Sequence, residues 1–215
     1  MQKDNFKYRL YGRSKGRKNL KKSEKFIRSK EIKKLIKSSF NIIDVGSGFG
    51  ESSIYLAKNN NNNIVVACEK YLDGLIKTIK NANNMGLDNL FLFQGNVHQF
   101  IDEHCFNESI SEVWILFPDP WPKKKHQKRR LIDINFLKKL KIYLKKNATI
   151  HIATDSKSYI CHILILLYFV QRDYLWVNQN IESWNYSLLE LPDTKYYKKA
   201  RKNGDNPFYV KLQKL

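Results

Sequence analysis

The residues best equipped for chemistry lie in the stretch FPDPWPKKKHQKRR, residues 117–130. Asp119 and Trp121 alternate there with Pro118, Pro120 and Pro122. Each proline fixes its own φ and restricts the residue before it, so the tip is stiff. Directly behind come Lys123, Lys124, Lys125, His126, Lys128, Arg129 and Arg130. A carboxylate held rigidly beside a dense cationic block suits a substrate that is a polyanion carrying a base. The cations would meet phosphates. The blander alternative is a rigid turn followed by a solvated basic face, with Trp121 either a stacking surface or a plug at a strand tip.

A second constellation begins at Asp44 and runs through Gly46, Gly48 and Gly50, a GxGxG turn. Glycines in such a turn let the backbone come close to a ligand. The spacing differs from the GxGxxG fingerprint of dinucleotide sites. Glu69 ends the next apolar run, where an acid can accept from both hydroxyls of an adenosine ribose or simply stand exposed at the start of a helix. Asn96 follows the third run. Its amide could read an adenine edge, since it offers donors and an acceptor, or it could cap the helix after it. Asp155, in Thr154-Asp155-Ser156, ends the fifth run and faces the same edge as Asp119. Thr194, Lys195, Tyr196 and Tyr197 lie in a long basic stretch expected to be a loop.

Regular elements must position these groups. Ile42–Val45, Ile64–Cys68, Leu90–Phe93, Val113–Phe117 and Ala148–Ala153 read as short buried strands. Between them stand helical segments: one beginning near Glu51, Tyr71–Asn84 with Leu72, Leu75, Ile76 and Ile79 on one face, Val97–His104, and Phe136–Leu144. Alternating strands and helices predict a mostly parallel, doubly wound α/β sheet. Its ligands bind beyond the carboxyl ends of the strands. Ser158–Gln171 is an apolar helix. Its core, Tyr159–Val170, is too short to span a bilayer. Tyr174–Val177 and Phe208–Leu212 complete an expected seven strands.

The net charge of +19 is unevenly spread. Residues 1–40 carry 15 Lys and Arg against three acids, and residues 123–146 carry 11 against one, while the rest is slightly acidic. Two basic blocks on a near-neutral domain point to a polyanionic partner. A compositional bias toward Lys and Asn, visible in the run Asn59–Asn63, accounts for part of the charge. Residues 1–22 interleave Tyr8 and Tyr11 with Arg9, Arg13, Lys15, Arg17 and Lys18. Such a segment buries too little apolar surface to order alone, and its chemistry suits phosphate contact with base stacking. The expected organisation is a flexible basic arm, residues 1–22, and one domain, residues 23–215, opening with a helix over residues 23–38. The three cysteines are dispersed and form no CxxC, which argues against a disulfide framework or zinc site. The lack of an apolar N-terminal run predicts no secretory signal.

Taken in order, Asp-x-Gly-x-Gly-x-Gly, FPDPWPKK-H-KRR, Ala153-Thr154-Asp155 and Thr194-Lys195-Tyr196 resemble the tRNA (guanine-N7-)-methyltransferase family. The resemblance runs from about Tyr11 to the end, and the FPDPW block is its most selective part. It implies a Rossmann-like class I methyltransferase that uses S-adenosyl-L-methionine and no metal. The product would be 7-methylguanosine in the variable loop of tRNA, at position 46. By resemblance Asp44, Gly46, Gly48, Gly50, Glu69, Asn96 and Asp119 would bind the cofactor, with Asp119 also catalytic. Lys123, Asp155, Thr194, Lys195, Tyr196 and Tyr197 would hold the guanosine. Three positions depart from the family: Asp44 replaces a common Glu, Asn96 replaces Asp, and Tyr197 replaces Glu. The expected partner is tRNA, not DNA or membrane, for a cytoplasmic monomer or homodimer. Rival readings are a non-catalytic RNA-binding protein on the same fold and, disfavoured by the glycine spacing, a nicotinamide-dependent dehydrogenase.

Overall fold

A computed structural model describes residues 41–186 and 192–215. The arm expected over residues 1–22 and the helix expected over 23–38 lie outside these described residues. Seven strands form one sheet: β1 (Asn41–Val45), β2 (Ile64–Glu69), β3 (Leu90–Gln94), β4 (Ile110–Leu116), β5 (Leu144–Thr154), β6 (Tyr174–Trp176) and β7 (Phe208–Lys214). Their order is β3-β2-β1-β4-β5-β7-β6. The first five are parallel, and β7 runs antiparallel between β5 and β6. The helices are α1 (Glu51–Asn59), α2 (Leu72–Asn84), α3 (Val97–His104), α4 (Ile134–Tyr143), α5 (Lys157–Val170) and α6 (Lys195–Lys202).

All five residues of β1 are buried, as a strand covered on both faces requires. Ile42 joins Leu56, Ala57, Leu75 and Ile79 in the core under α1 and α2. Its neighbour Ile43 joins Phe100, Leu137, Leu140 and Ile163 in the core under α3, α4 and α5. The alternation of side chains along a strand thus feeds two cores. The doubly wound expectation is met, including the seven strands.

Element ends differ in instructive ways. β5 begins at Leu144 rather than Ala148, because Leu144 is fully buried and pairs with Ile110. The polar Lys145–Asn147 hid this first part of the strand. β4 starts earlier than expected, at Ile110, and stops at Leu116, since Phe117 turns to φ +53°. The stretch expected as a long loop contains α6. Its helix is strongly cationic and buries only Ala200, so no apolar stripe betrays it. Thr194 caps it, its hydroxyl accepting the Tyr197 N–H at 3.1 Å.

Low in the sheet, the Trp114 indole stacks on the His151 imidazole, 3.9 Å between centroids and 2° from parallel. His151 hydrogen-bonds the Tyr209 hydroxyl and the Thr149 hydroxyl, at 2.6 and 2.9 Å. Burial, then the charge of Lys211, pushes the imidazole down to about 3. A neutral ring therefore ties β4, β5 and β7 together.

Candidate active site

The turn after β1 builds the site's floor. The Gly46 N–H donates to the Cys68 carbonyl at 2.8 Å and the Gly50 N–H to the Ser47 carbonyl at 2.8 Å. Gly46, Gly48 and Gly50 have φ of +71°, +57° and +81°, a region costly for a residue with a Cβ. At Gly50 the cost is also steric, because a Cβ would fall 2.2 Å from the Thr78 hydroxyl of α2. The turn delivers α1 so that Ser52 and Ser53 both donate to Asp44 Oδ2, at 2.6 and 2.5 Å. Asp44 is only 1% exposed. Burial pushes its carboxyl up to about 6; the two serines oppose the shift and the charge of Glu69 adds to it. The neighbouring Ser47 hydroxyl is buried without a hydrogen-bond partner among the described residues.

Glu69, at the end of β2, is engaged by backbone. Oε2 accepts the Gly48 N–H at 2.9 Å, and Oε1 accepts the N–H groups of Lys70 and Tyr71 at 2.6 and 2.8 Å. A carboxylate offers about four acceptor positions, so it retains capacity for a ligand hydroxyl. Asn96 caps α3, its Oδ1 accepting the His98 N–H at 2.8 Å. Of the two roles open to it, capping is the one present. The cap uses the oxygen and spares the amide's two donors.

At the end of β4, the Phe117 N–H donates to the Ala153 carbonyl at 2.8 Å. The tips carrying Asp119 and Asp155 are therefore side by side, and both acids are exposed. Trp121, at φ +41°, is half-buried, with the Arg129 guanidinium over its ring at 4.9 Å. The basic block forms a short 3-10 helix, Lys124–Arg129, with Lys123 exposed at its start. Arg130 does not belong to the solvated cluster. It is 5% exposed. It donates from Nε to the Pro120 carbonyl at 2.9 Å and from its terminal nitrogens to the Ser158 carbonyl and hydroxyl at 3.2 and 2.9 Å. Its role is to fasten the tip to α5.

The expected site residues are only partly gathered. Asp44, Gly46, Gly48, Thr194 and Tyr196 line one cleft, with Ser47, Phe49, Glu51, Ser52 and Leu116. Gly50, Glu69, Asn96, Asp119, Lys123, Asp155, Lys195 and Tyr197 do not line it. Glu69 and Asp119 nonetheless reach the cleft electrostatically: burial first, then the charges of Glu69, Asp119 and Glu51, push the Tyr196 hydroxyl up. The Tyr197 ring packs against that of Tyr186, 4.8 Å between centroids and tilted by 33°. Ser47, Ser52, Ser53, Phe49 and Glu51 are site residues that sequence reasoning missed. The one signal for them was their position in and just after the glycine turn.

The cleft offers a buried carboxylate, a Ser47 hydroxyl without a partner among the described residues and a glycine turn with open space above Gly46, a set that suits a small polar ligand carrying positive charge. Comparison with known proteins indicates what the ligand serves. Residues 38–210 match the model of a family described as "Putative methyltransferase". A tRNA (guanine-N(7)-)-methyltransferase of Buchnera aphidicola is 34% identical over 78% of the chain and 69% of its own length. One from Leptospira interrogans is 30% identical over 87% of the chain and 88% of its own. Among solved structures, one described as "a putative methyltransferase from Streptococcus mutans in complex with SAH" superposes with a TM-score of 0.53. It shares 17% identity over 88% of this chain and 99% of its own, a likeness of fold.

Proposed function

The chain belongs to the family of tRNA (guanine-N(7)-)-methyltransferases, and from that premise we propose how its residues divide the work. The protein transfers a methyl group from S-adenosyl-L-methionine to N7 of a guanosine in tRNA, giving 7-methylguanosine. The guanosine we assign to the variable loop, position 46, on the resemblance of the FPDPW block to the family. The place of work is the cytoplasm, and the chain acts as a monomer or homodimer.

One observation carries the division of roles. Asp119 is an exposed carboxylate on a proline-stiffened tip that leads into the basic 3-10 helix, and its charge is felt at Tyr196 in the Asp44 cleft. Asp44, Ser47 and the glycine turn would hold the amino-acid portion of the cofactor. Glu69 would accept the ribose hydroxyls, and the Asn96 amide would meet the adenine. When bound, the cofactor supplies an activated methyl group on a sulfonium. Guanine N7 has a lone pair and no proton, so no general base is required. Asp119 favours the positive charge that develops on the purine and accepts from the base's N–H groups. Lys123, Asp155 and the segment Thr194–Tyr197 hold the nucleoside so that N7, methyl and sulfur fall in line, where most of the acceleration arises. Cations of the 3-10 helix offset the cost of drawing the base from its stack.

Incubating the protein with labelled S-adenosylmethionine and unmodified tRNA, then analysing nucleosides, is expected to yield labelled 7-methylguanosine. Asp119→Ala is expected to lower turnover by roughly 100-fold or more, the scale of losing one group aimed at developing charge, with a smaller loss in cofactor affinity. Cofactor binding by the wild type without any transfer would favour the non-catalytic RNA-binding reading. Unchanged turnover in the variant would remove Asp119 from the mechanism.

A further inference from the structure

The first N–H groups of a helix lack partners within it. In α6 the first of them, that of Lys195, donates at 2.9 Å to Glu51 Oε2, a residue 144 positions earlier in the chain. Glu51 is itself the first residue of α1. One carboxylate thus sits at the positive ends of two helices, where the aligned peptide dipoles favour a negative charge. A second contact runs alongside. The Lys195 ammonium lies over the Phe49 ring at 5.1 Å, Phe49 being part of the glycine turn, and Lys77 of α2 lies over the same ring at 5.1 Å. Between these contacts Tyr196 reaches the turn. A Cβ on Gly48 would lie 3.8 Å from its ring, and the tyrosine lines the cleft opposite Asp44 and Leu116.

The substrate-side helix is therefore fastened to the cofactor-side turn by a contact that neither side needs in order to fold. The Lys195 N–H could be met by water, and Glu51 is exposed. We propose that Glu51 is a positioning residue that clips the start of α6 over the cofactor cleft, holding Tyr196 as its cover. The inference rests on the reading of this cleft as the cofactor site. It assigns to Glu51 retention of the cofactor, a role distinct from the chemistry at Asp119. It also makes the cover and the cationic face of α6, with Lys198, Lys199, Arg201 and Lys202, move as one body. RNA drawn to α6 would then press the cover onto the cleft.

The test compares S-adenosylhomocysteine binding by calorimetry across variants of the full chain, with methyl transfer as a second readout. Glu51→Ala is expected to weaken binding about tenfold, the scale of a hydrogen bond to a charged acceptor. Glu51→Gln retains an acceptor oxygen without the charge and is expected to recover part of the loss, whereas a purely electrostatic role would leave it as weak as Glu51→Ala. Lys195→Pro deletes the donor while suiting the first helical position. Its predecessor already has the extended φ −77°, ψ 158° that a following proline requires. Because it also removes the ammonium over Phe49, it should lose as much as Glu51→Ala plus the loss seen in Lys195→Ala, and adding Glu51→Ala to it should weaken binding no further. Lys195→Ala keeps the N–H and is expected to lose less. The Lys195 amide should exchange more slowly with solvent once the ligand is bound in the wild type, and not in Glu51→Ala. Wild-type binding with both single variants unchanged, additive losses, or tighter binding in the variants would overturn the clip alone. A wild type that fails to bind the ligand would overturn the cofactor reading beneath it.

Discussion

Asp44 shows how a site can be stored as instability. Its carboxyl keeps a proton up to about pH 6 in the folded protein, against an ordinary 3.8. The folded state therefore binds that proton more tightly than the unfolded chain does. The stabilisation this gives is fully present below 3.8 and is lost as pH rises through 6. At neutral pH the buried, ionised carboxylate costs about 3 kcal/mol, taking about 1.4 kcal/mol per pH unit. The α-ammonium of the cofactor's amino-acid portion, placed beside Asp44, would offset that cost. Two outcomes are expected. Asp44→Asn should raise the melting temperature of the ligand-free protein at pH 7.5 while weakening S-adenosylhomocysteine binding. Near pH 6, binding to the wild type should release up to about half a proton, read by calorimetry in buffers of differing ionisation enthalpy. No proton release would mean that the ligand does not touch the charge of Asp44.

At the scale of elements, α2 and the glycine turn meet too closely for any side chain between them. A Cβ on Gly74, in the first turn of α2, would stand 2.1 Å from the Gly48 carbonyl oxygen. That neighbour is backbone and cannot swing aside. Gly74→Ala should therefore push α2 off the turn and cost roughly 1–3 kcal/mol, the usual scale of overpacking. The loss would be read as a drop in melting temperature with weaker ligand binding. An unchanged melting temperature would show that the helix has room to slide.

This close approach was not legible beforehand, because the apolar spacing of Leu72, Leu75 and Ile76 defines the helix equally well whatever stands at position 74. The strands were legible, because buried parallel strands read as unbroken apolar runs. So were the tips of β1, β2 and β4, since a glycine turn, an acid and a proline cluster respectively end the runs abruptly. α6 was not, being a helix of good helix-forming cations with a single buried residue. Nor was the Glu51–Lys195 hydrogen bond, because nothing in local spacing links positions so far apart. The departure of Arg130 from the cationic cluster was hidden for another reason. Lys128 and Arg129 just before it carry the same charge, and only its packing on α5 separates it from them.

For the whole molecule, the charge distribution sets the expected response to salt. The described cations near the site include those of the 3-10 helix and α6, while residues 1–40 carry a further 15 Lys and Arg. We propose that residues 1–22 add phosphate contacts to those of the domain. Removing them should weaken tRNA binding and flatten the slope of log affinity against log salt by about 0.7–0.9 for each phosphate the arm had neutralised. Affinity for S-adenosylhomocysteine should stay the same. An unaltered slope would leave the arm without a part in RNA binding.

The antiparallel course of β7 also decides how the molecule can be handled. Phe208 pairs with Thr154 at the edge that holds the site, and Gln213 pairs with Thr149. The last strand therefore leaves at the opposite edge, about 20 Å away at roughly 3.3 Å per residue. A fluorophore, affinity tag or surface tether attached after Leu215 would project away from the cleft and from both described basic helices. Immobilised through that end, the protein would present its working edge to RNA in free solution.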